Sequence, residues 1–220
     1  MKLIIFGATG GTGRQLLEQA LAEGHAVTAF VRDASKVGVT APNLRLVAGD
    51  VMDPAAVQQA MPGHDAVLVA LGGPARSKRL VRSDGTRNIV RAMEKCGVRR
   101  LICQTTLDYA DSRQVLFKYI IAPLFLRRVF VDHGRQEQLI KQSKLDWTIV
   151  RPGNLTDGPR TGQYRHGFAA TDTNMTVSAS RADVADFMLK QLSDTTYLRK
   201  TPGLSYARPG ALGRPETFSR

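Results

Sequence analysis

The chain has few cysteines: Cys96 and Cys103 are the only two in 220 residues. Two thiols supply neither a disulfide framework nor, alone, a zinc site. Long apolar runs are also missing. The longest uncharged stretch in the most apolar segment runs from Tyr119 to Leu126. A spanning helix needs roughly 17–25 mostly apolar residues, so no transmembrane segment is expected. The start, Met1 to Gly7, holds too short an apolar run for a signal peptide, and a cytoplasmic protein is expected. Acidic residues are scarce, 19 against 31 lysines and arginines, for a net charge of +12. That excess suits an anionic partner. Zinc spacing and RNA-binding aromatic motifs are absent, so no specific nucleic acid partner is expected. With 43% hydrophobic and 23% charged residues, the composition excludes a mostly disordered chain, a collagen and a coiled coil.

What is present is an alternation. Lys2–Phe6, Ala26–Val31, Leu44–Ala48, Ala66–Ala70, Leu101–Gln104 and Trp147–Arg151 read as strands, short and apolar on both faces. Thr12–Ala22, Ala55–Ala60, Ser83–Lys95 and Asp132–Lys144 read as helices between them. Parallel neighbours need a crossover, which is usually a helix, so this rhythm predicts an α/β fold around a doubly wound parallel sheet. Past Pro152-Gly153 the pattern dissolves into a loop-rich stretch to about Ala179. Ser180-Arg181-Ala182-Asp183 then opens a last helix with a serine cap and an acid three residues on. A final strand is expected near Leu204–Ala207. Residues 1–207 are expected to form one domain, with 152–207 as a substrate-side region and 208–220 as a loose tail.

The most informative motif is Gly7-Ala8-Thr9-Gly10-Gly11-Thr12-Gly13. It follows the first strand and opens the first helix. Glycines at 7, 10 and 13 permit a tight turn, close approach of backbone to a pyrophosphate, and close packing of helix on strand. The helix then points its first N–H groups at the anion. This is the context in which the pattern signifies a dinucleotide. The second strand ends Phe30-Val31-Arg32-Asp33. An acid there suits the ribose 2′-hydroxyl of NAD, whereas an arginine suits a 2′-phosphate. Arg32 takes the first position after the apolar run, and Asp33 should point the opposite way. The expected cofactor is therefore NADP(H), with Arg14 adding positive charge near its phosphates. Asp50 and Val51 follow the third strand, where an acid suits the adenine amine. Leu71, Gly72 and Gly73 follow the fourth, where small residues let the backbone lie along the cofactor.

These segments, with Asp65-Ala66-Val67, Gly85-Thr86-Arg87-Asn88-Ile89-Val90 and Trp147-Thr148-Ile149-Val150-Arg151-Pro152-Gly153, resemble the atypical short-chain dehydrogenase/reductases. These are the NmrA-like, NAD(P)H-binding group, with its biliverdin and flavin reductase branch. The resemblance covers about residues 1–207. It implies a Rossmann-type sheet of strand order 3-2-1-4-5-6, with the nicotinamide over the ends of strands four to six. It also implies cofactor contacts at Pro152 and Asn154. Much of the superfamily moves a proton with a Tyr-x-x-x-Lys pair, and no tyrosine here has a lysine four residues later. The matching helix carries His133 and Glu137 on one face. At the end of strand five, Thr106 occupies a position where the family often has a serine beside the nicotinamide. Thr106 and His133 are the expected catalytic residues. The position matching Asn154 is a histidine in the biliverdin-reducing members.

The resemblance implies hydride transfer to a small-molecule acceptor that is easily reduced, such as a flavin, quinone or tetrapyrrole. Two alternatives stay open: an NADP(H)-sensing regulator without turnover that binds a protein partner, and an epimerase or dehydratase on the same scaffold. Residues 76–100 hold nine basic residues against Asp84 and Glu94, and are expected to be cofactor-adjacent or helix surface. The apolar, basic segment Val115–Val131 reads as a pocket lid or an association face, and less readily as a peripheral membrane patch, which would want a continuous amphipathic helix. His25 and His64 are expected to be structural, and His166 exposed.

Overall fold

β1 (Lys2–Phe6) shows how the fold is built, because Leu3, Ile4, Ile5 and Phe6 are all fully buried. A strand sends alternate side chains to opposite faces. Leu3 and Ile5 join one core with Leu16, Leu17 and Ala20 of α1 (Gly11–Ala22) and Val184, Phe187 and Met188 of α5 (Arg181–Lys190). Ile4 and Phe6 join the other, with Val57 of α2 (Pro54–Ala60), Ile89 and Met93 of α3 (Val81–Cys96) and Ile140 of α4 (Leu124–Gln142). Two helix layers thus sandwich one sheet, the arrangement that doubly apolar strands require.

The computed structural model describes residues 1–73, 80–107, 124–168 and 174–208, and the side chains of 124–127 are not among those described. Within these, β2 (Ala26–Val31), β3 (Leu44–Ala48), β4 (Ala66–Val69), β5 (Arg100–Gln104) and β6 (Asp146–Pro152) join β1 in the order β3-β2-β1-β4-β5-β6, all parallel. This is the expected order. The sheet continues through β10 (Gly203–Ser205), parallel to β6, and β8 (Arg165–His166), antiparallel to β10. A separate pair joins β7 (Asn154–Thr156) to β9 (Ser178–Ser180).

Local chemistry explains the element ends. Asp53 caps α2, accepting from Ala55 N at 2.9 Å, with Pro54 at the first helical position. Ser180 caps α5 through Asp183 N at 3.0 Å. The cap of α3 is tertiary: Asp132 on α4 accepts from Arg82 N and Ser83 N at 3.2 and 2.9 Å. Gly97, with φ 73°, ends α3 in the left-handed region.

Several expectations need correction. β3 is not buried on both faces. It is an edge strand, and Leu46 is 41% exposed. The loop-rich stretch contains β7, β8 and β9. The helix expected at Asp132–Lys144 is α4 and starts at Leu124. Arg208 is pinned, donating its N–H to Asn174 O at 2.8 Å and Nε to Met175 O at 3.1 Å. The tail beyond it lies outside the described residues, as does the segment expected as lid, association face or membrane patch up to residue 123. The rest of that segment is the first turns of α4. Among the described residues, no helix is long and apolar enough to cross a membrane.

Buried Asp183 ties the C-terminal region to α5. It accepts from Thr161 N, Thr161 Oγ1, Gly162 N and Tyr206 OH at 2.6–2.8 Å. Burial pushes its pKa up, but these donors hold it below the usual carboxylate range.

Candidate functional site

A cleft of about 580 Å³ opens over the C-terminal ends of the parallel strands, where the strand order reverses about β1 and β4. Its floor at the centre is the glycine-rich loop. Gly7 has φ 89°, and its N-terminal turn closes through Gly10 N to Gly7 O at 2.9 Å. A Cβ at Gly7 would lie 2.4 Å from Ala70 O, and one at Gly13 would lie 1.9 Å from Gly7 O. The loop and helix therefore pack backbone against backbone. Gly10 is the N-cap of α1 and no side chain caps it, so the first N–H groups of the helix face the cleft without a protein acceptor on the cap residue. Thr9, Gly10, Gly11 and Thr12 line the cleft, while Gly13 lies beneath it.

At one end stand Arg32, Asp50 and Val51. Arg32 is exposed and makes no ion pair among the described residues. Asp33 is turned to other work. Its Oδ1 accepts from Ser35 N and Ser35 Oγ at 3.1 and 2.6 Å, capping a short 3-10 turn. Those bonds hold its carboxyl below its usual pKa. Asp50 accepts from Met52 N at 3.0 Å, and Asn88 Nδ2 donates to Val51 O at 3.0 Å. Arg14 does not line the cleft. Its guanidinium donates to Thr9 O and Lys36 O at 3.2 and 3.4 Å, stapling the loop to the 3-10 turn.

At the other end, Leu71, Gly72, Thr106, His133 and Pro152 line the cleft. The backbone beyond β5 stays in register with β6, with Thr105 N on Val150 O and Leu107 N on Pro152 O, both 2.9 Å. Successive residues face opposite ways there. Thr105 Oγ1 donates to Glu137 Oε1 at 2.9 Å, and half-buried Thr106 is left to the cleft. Glu137 is saturated: Arg151 grips both carboxylate oxygens, and Lys141 Nζ lies 3.0 Å from Oε2. Burial pushes its pKa up, but these donors hold it below the usual value. His133, one turn earlier, is different. Its Nδ1 is buried without a partner among the described residues. Burial, with the Arg82 guanidinium beside it, lowers the imidazole pKa to about 4.

The imidazole is therefore neutral at pH 7. An NMR titration should find it protonating near pH 4, not near the ordinary 6.5. The unfolded chain takes up this proton first, so His133 subtracts stability as pH falls from about 6.5 toward 4. Above 6.5 its contribution is constant. A His133→Gln variant should show a shallower acid loss of thermal stability over that window. An unchanged slope would place the imidazole in water.

Gly73 and Asn154 do not line the cleft. Asn154 is exposed on β7, and the alternation of that strand turns Leu155 inward instead. Two arginines that sequence reasoning did not single out do line it. Arg181, at the start of α5, crosses the loop so closely that a Cβ at Gly11 would meet its Cδ at 2.5 Å, and its Nη1 lies 2.6 Å from Asp157 Oδ1. Arg82 stands beside His133. The rest of the described basic cluster is dispersed: Arg87 on Asp84, Lys95 on Gln58, Arg99 on Asp146, Arg100 on Gln191 O, and Arg91 exposed on α3. His64 bridges Met61 O and Thr28 Oγ1 at 3.0 and 2.8 Å. His166 is exposed yet stacks on Phe187, away from the cleft.

The NAD(P)H-binding family model matches residues 7–195, which span the loop, the cleft and α5. The chain belongs to the NAD(P)H-binding family. An uncharacterized chloroplastic protein of Arabidopsis thaliana is 34% identical over 203 residues, covering 87% of this chain and 71% of that protein. The 3-diazoavenalumate denitrifying reductase of a Streptomyces species is 32% identical over 193 residues, covering 77% of this chain and 61% of the reductase. The solved structure of the anaerobillin reductase ChuY from Escherichia coli O157:H7 superposes with a TM-score of 0.72 at 25% identity, covering 93% of this chain and 96% of that one. The family is thus one of NAD(P)H-binding oxidoreductases with reductases among its members. The likeness to atypical short-chain dehydrogenase/reductases read from the motifs agrees with it.

Proposed function

We propose that the protein is an NADPH-dependent reductase that passes hydride to a small conjugated acceptor such as a flavin, quinone or tetrapyrrole. The observation that carries this is the continuity of one cleft from exposed Arg32, across the uncapped start of α1, to Thr106 and His133. The donor set fits a dinucleotide phosphate: backbone N–H groups for a pyrophosphate, a cradle that a Cβ at Gly7 or Gly13 would fill, and an exposed guanidinium, unpaired among the described residues, where a 2′-phosphate is recognised. Gly7, Thr9, Gly10, Gly11 and Thr12 would hold the pyrophosphate with Arg181 above them. Arg32 would hold the 2′-phosphate, Asp50 and Val51 the adenine, and Leu71, Gly72 and Pro152 the nicotinamide side. NADPH supplies hydride when bound.

What the chain adds at the reacting end is positioning. His133 is neutral, so its imidazole can accept or donate a hydrogen bond but is a poor acid at pH 7. Glu137 is spent on Arg151, Lys141 and Thr105. The Thr106 hydroxyl lines the cleft and would orient the acceptor or a water that protonates it. Thr106→Val keeps the shape and removes the hydroxyl. It should lower kcat by about 10-fold or less, because water partly replaces it, with NADPH affinity unchanged. A variant as fast as wild type would make Thr106 a packing residue.

The test of the proposal is NADPH oxidation measured against a panel of flavins, quinones and biliverdin. Turnover with at least one is expected. A second reading, an NADP(H) sensor without turnover, is favoured by the absence of a charged acid at His133. Binding of NADPH without oxidation by any acceptor would select it.

A further inference from the structure

Arg82 is held where a cation is hard to keep. It opens α3, lines the cleft, and its side chain is only 15% exposed. Among the described residues its ion-pair partner is Asp132, 4% exposed, with Oδ2 3.7 Å from Arg82 Nη1, beyond hydrogen-bond distance. Both oxygens of Asp132 already accept backbone N–H bonds at the start of α3. Arg82 Nε is sealed from water and has no partner among the described residues. Buried donors in folded proteins are almost always satisfied, and an exception calls for an explanation. Burial also holds the guanidinium below its usual pKa in spite of Asp132. On its other side stands neutral His133, which adds no negative charge.

We infer that Arg82 is the anchor for a carboxylate on the acceptor, so that the substrates of this cleft are conjugated acids rather than neutral rings. This rests on the reductase reading for the word acceptor, though not for the anion site itself. A carboxylate matches the planar fork of a guanidinium and supplies the charge that Asp132, committed to the helix, gives only in part. The phosphates of a dinucleotide are an inferior explanation. The uncapped start of α1 and Arg181 serve the centre of the cleft, and Arg32 serves its far end. Arg82 lies instead against α4, next to His133. Hydride transfer also leaves the acceptor more negative by one charge, and a guanidinium at that end stabilises it as the charge develops.

Calorimetric titration with 2-naphthoate and 2-naphthamide, on the protein with and without NADP⁺, tests the anion site without turnover. The two probes share shape and differ in charge. Wild type should bind the carboxylate at least 10-fold more tightly, the span of one charged hydrogen bond. Arg82→Gln should bring the two probes together and leave NADP⁺ affinity as it was, which also reports that the variant is folded. Arg82→Lys should keep part of the preference. Equal binding of the two probes by wild type, no binding of 2-naphthoate at millimolar concentration, or a preference that survives in Arg82→Gln would overturn the inference. So would Arg82→Gln weakening NADP⁺ itself, because that assigns the arginine to the cofactor. A naphthoate preference without NADPH oxidation by any acceptor would remove the reductase reading and leave the anion site standing.

Discussion

Gly13→Ala is expected to abolish NADPH binding and to lower the thermal midpoint sharply. A Cβ at residue 13 would sit 1.9 Å from Gly7 O, 2.7 Å from Gly7 C and 2.9 Å from Ala8 Cα. All three are backbone atoms, so no side chain can rotate away. Either α1 moves off β1 or the Gly7 turn opens. Overpacking of a well-packed site costs about 1–3 kcal/mol, and a clash with backbone belongs at or above the top of that range. For about 200 residues, 3 kcal/mol corresponds to roughly 6–12 °C in Tm. The consequence for function is larger, because either adjustment moves the N–H groups that face the anion. Gly10→Ala is the control. Its Cβ would meet Gly7 O at 3.3 Å, and its φ of −77° is ordinary for alanine. Its Tm should stay within a few degrees of wild type. Differential scanning calorimetry with NADPH titration measures both variants. If Gly13→Ala retained NADPH affinity and Tm, the loop would not be the close-packed cradle its geometry indicates.

The same packing explains what was legible in the sequence. β1 and β2 coincide with their sequence-derived ranges, because buried parallel strands write themselves as apolar runs, and β3 coincides too although it is an exposed edge. The glycine-rich loop was legible because strand, loop and helix are adjacent in the chain. β7, β8 and β9 are two or three residues long, too short for any period to show, whereas the strand expected near Leu204–Ala207 is found as β10 at Gly203–Ser205. The early start of α4 was hidden because its first residues, Leu124-Phe125-Leu126, follow Pro123 and a mainly apolar run that gives no helical period.

The site divides along the same line. Arg32 and the loop glycines could be read because each takes its meaning from the strand beside it. Arg82 could not, because its meaning depends on Asp132 and His133, 50 residues away on another helix. Arg181 was read as the first residue of a capped helix, which it is, but only the packing of α5 on α1 brings it over Gly11. Asn154 was placed at the cofactor by resemblance alone. The β7–β9 pairing gives the inward position to Leu155. His133 was readable as a polar residue on the right face, but its neutrality comes from burial and from Arg82, neither of which has a local signature.

Arg32→Ala is expected to cost ten- to a hundredfold in NADPH affinity and almost nothing in NADH affinity. The guanidinium is exposed and unpaired among the described residues, so removing it breaks no contact that holds the fold. Losing a charged hydrogen bond costs about 1.5–3 kcal/mol, which sets the tenfold to hundredfold range. The neighbouring acid cannot take over as a ribose ligand. Asp33 is bonded to Ser35 N and Ser35 Oγ and faces Lys36 at 3.5 Å, so its carboxylate is already committed away from the cleft. Removing the arginine therefore leaves an indifferent site, not an NAD site. The pair Arg32→Ala and Asp33→Ala separates the two roles: the first should act on NADPH alone, the second on the 3-10 turn and on neither cofactor selectively. Calorimetry with both nucleotides, repeated at two salt concentrations, decides it. The wild-type preference for NADPH should shrink as salt rises, since an exposed guanidinium is screened. Equal NADPH affinity in wild type and Arg32→Ala would take the 2′-phosphate away from Arg32 and with it the preference for NADPH over NADH.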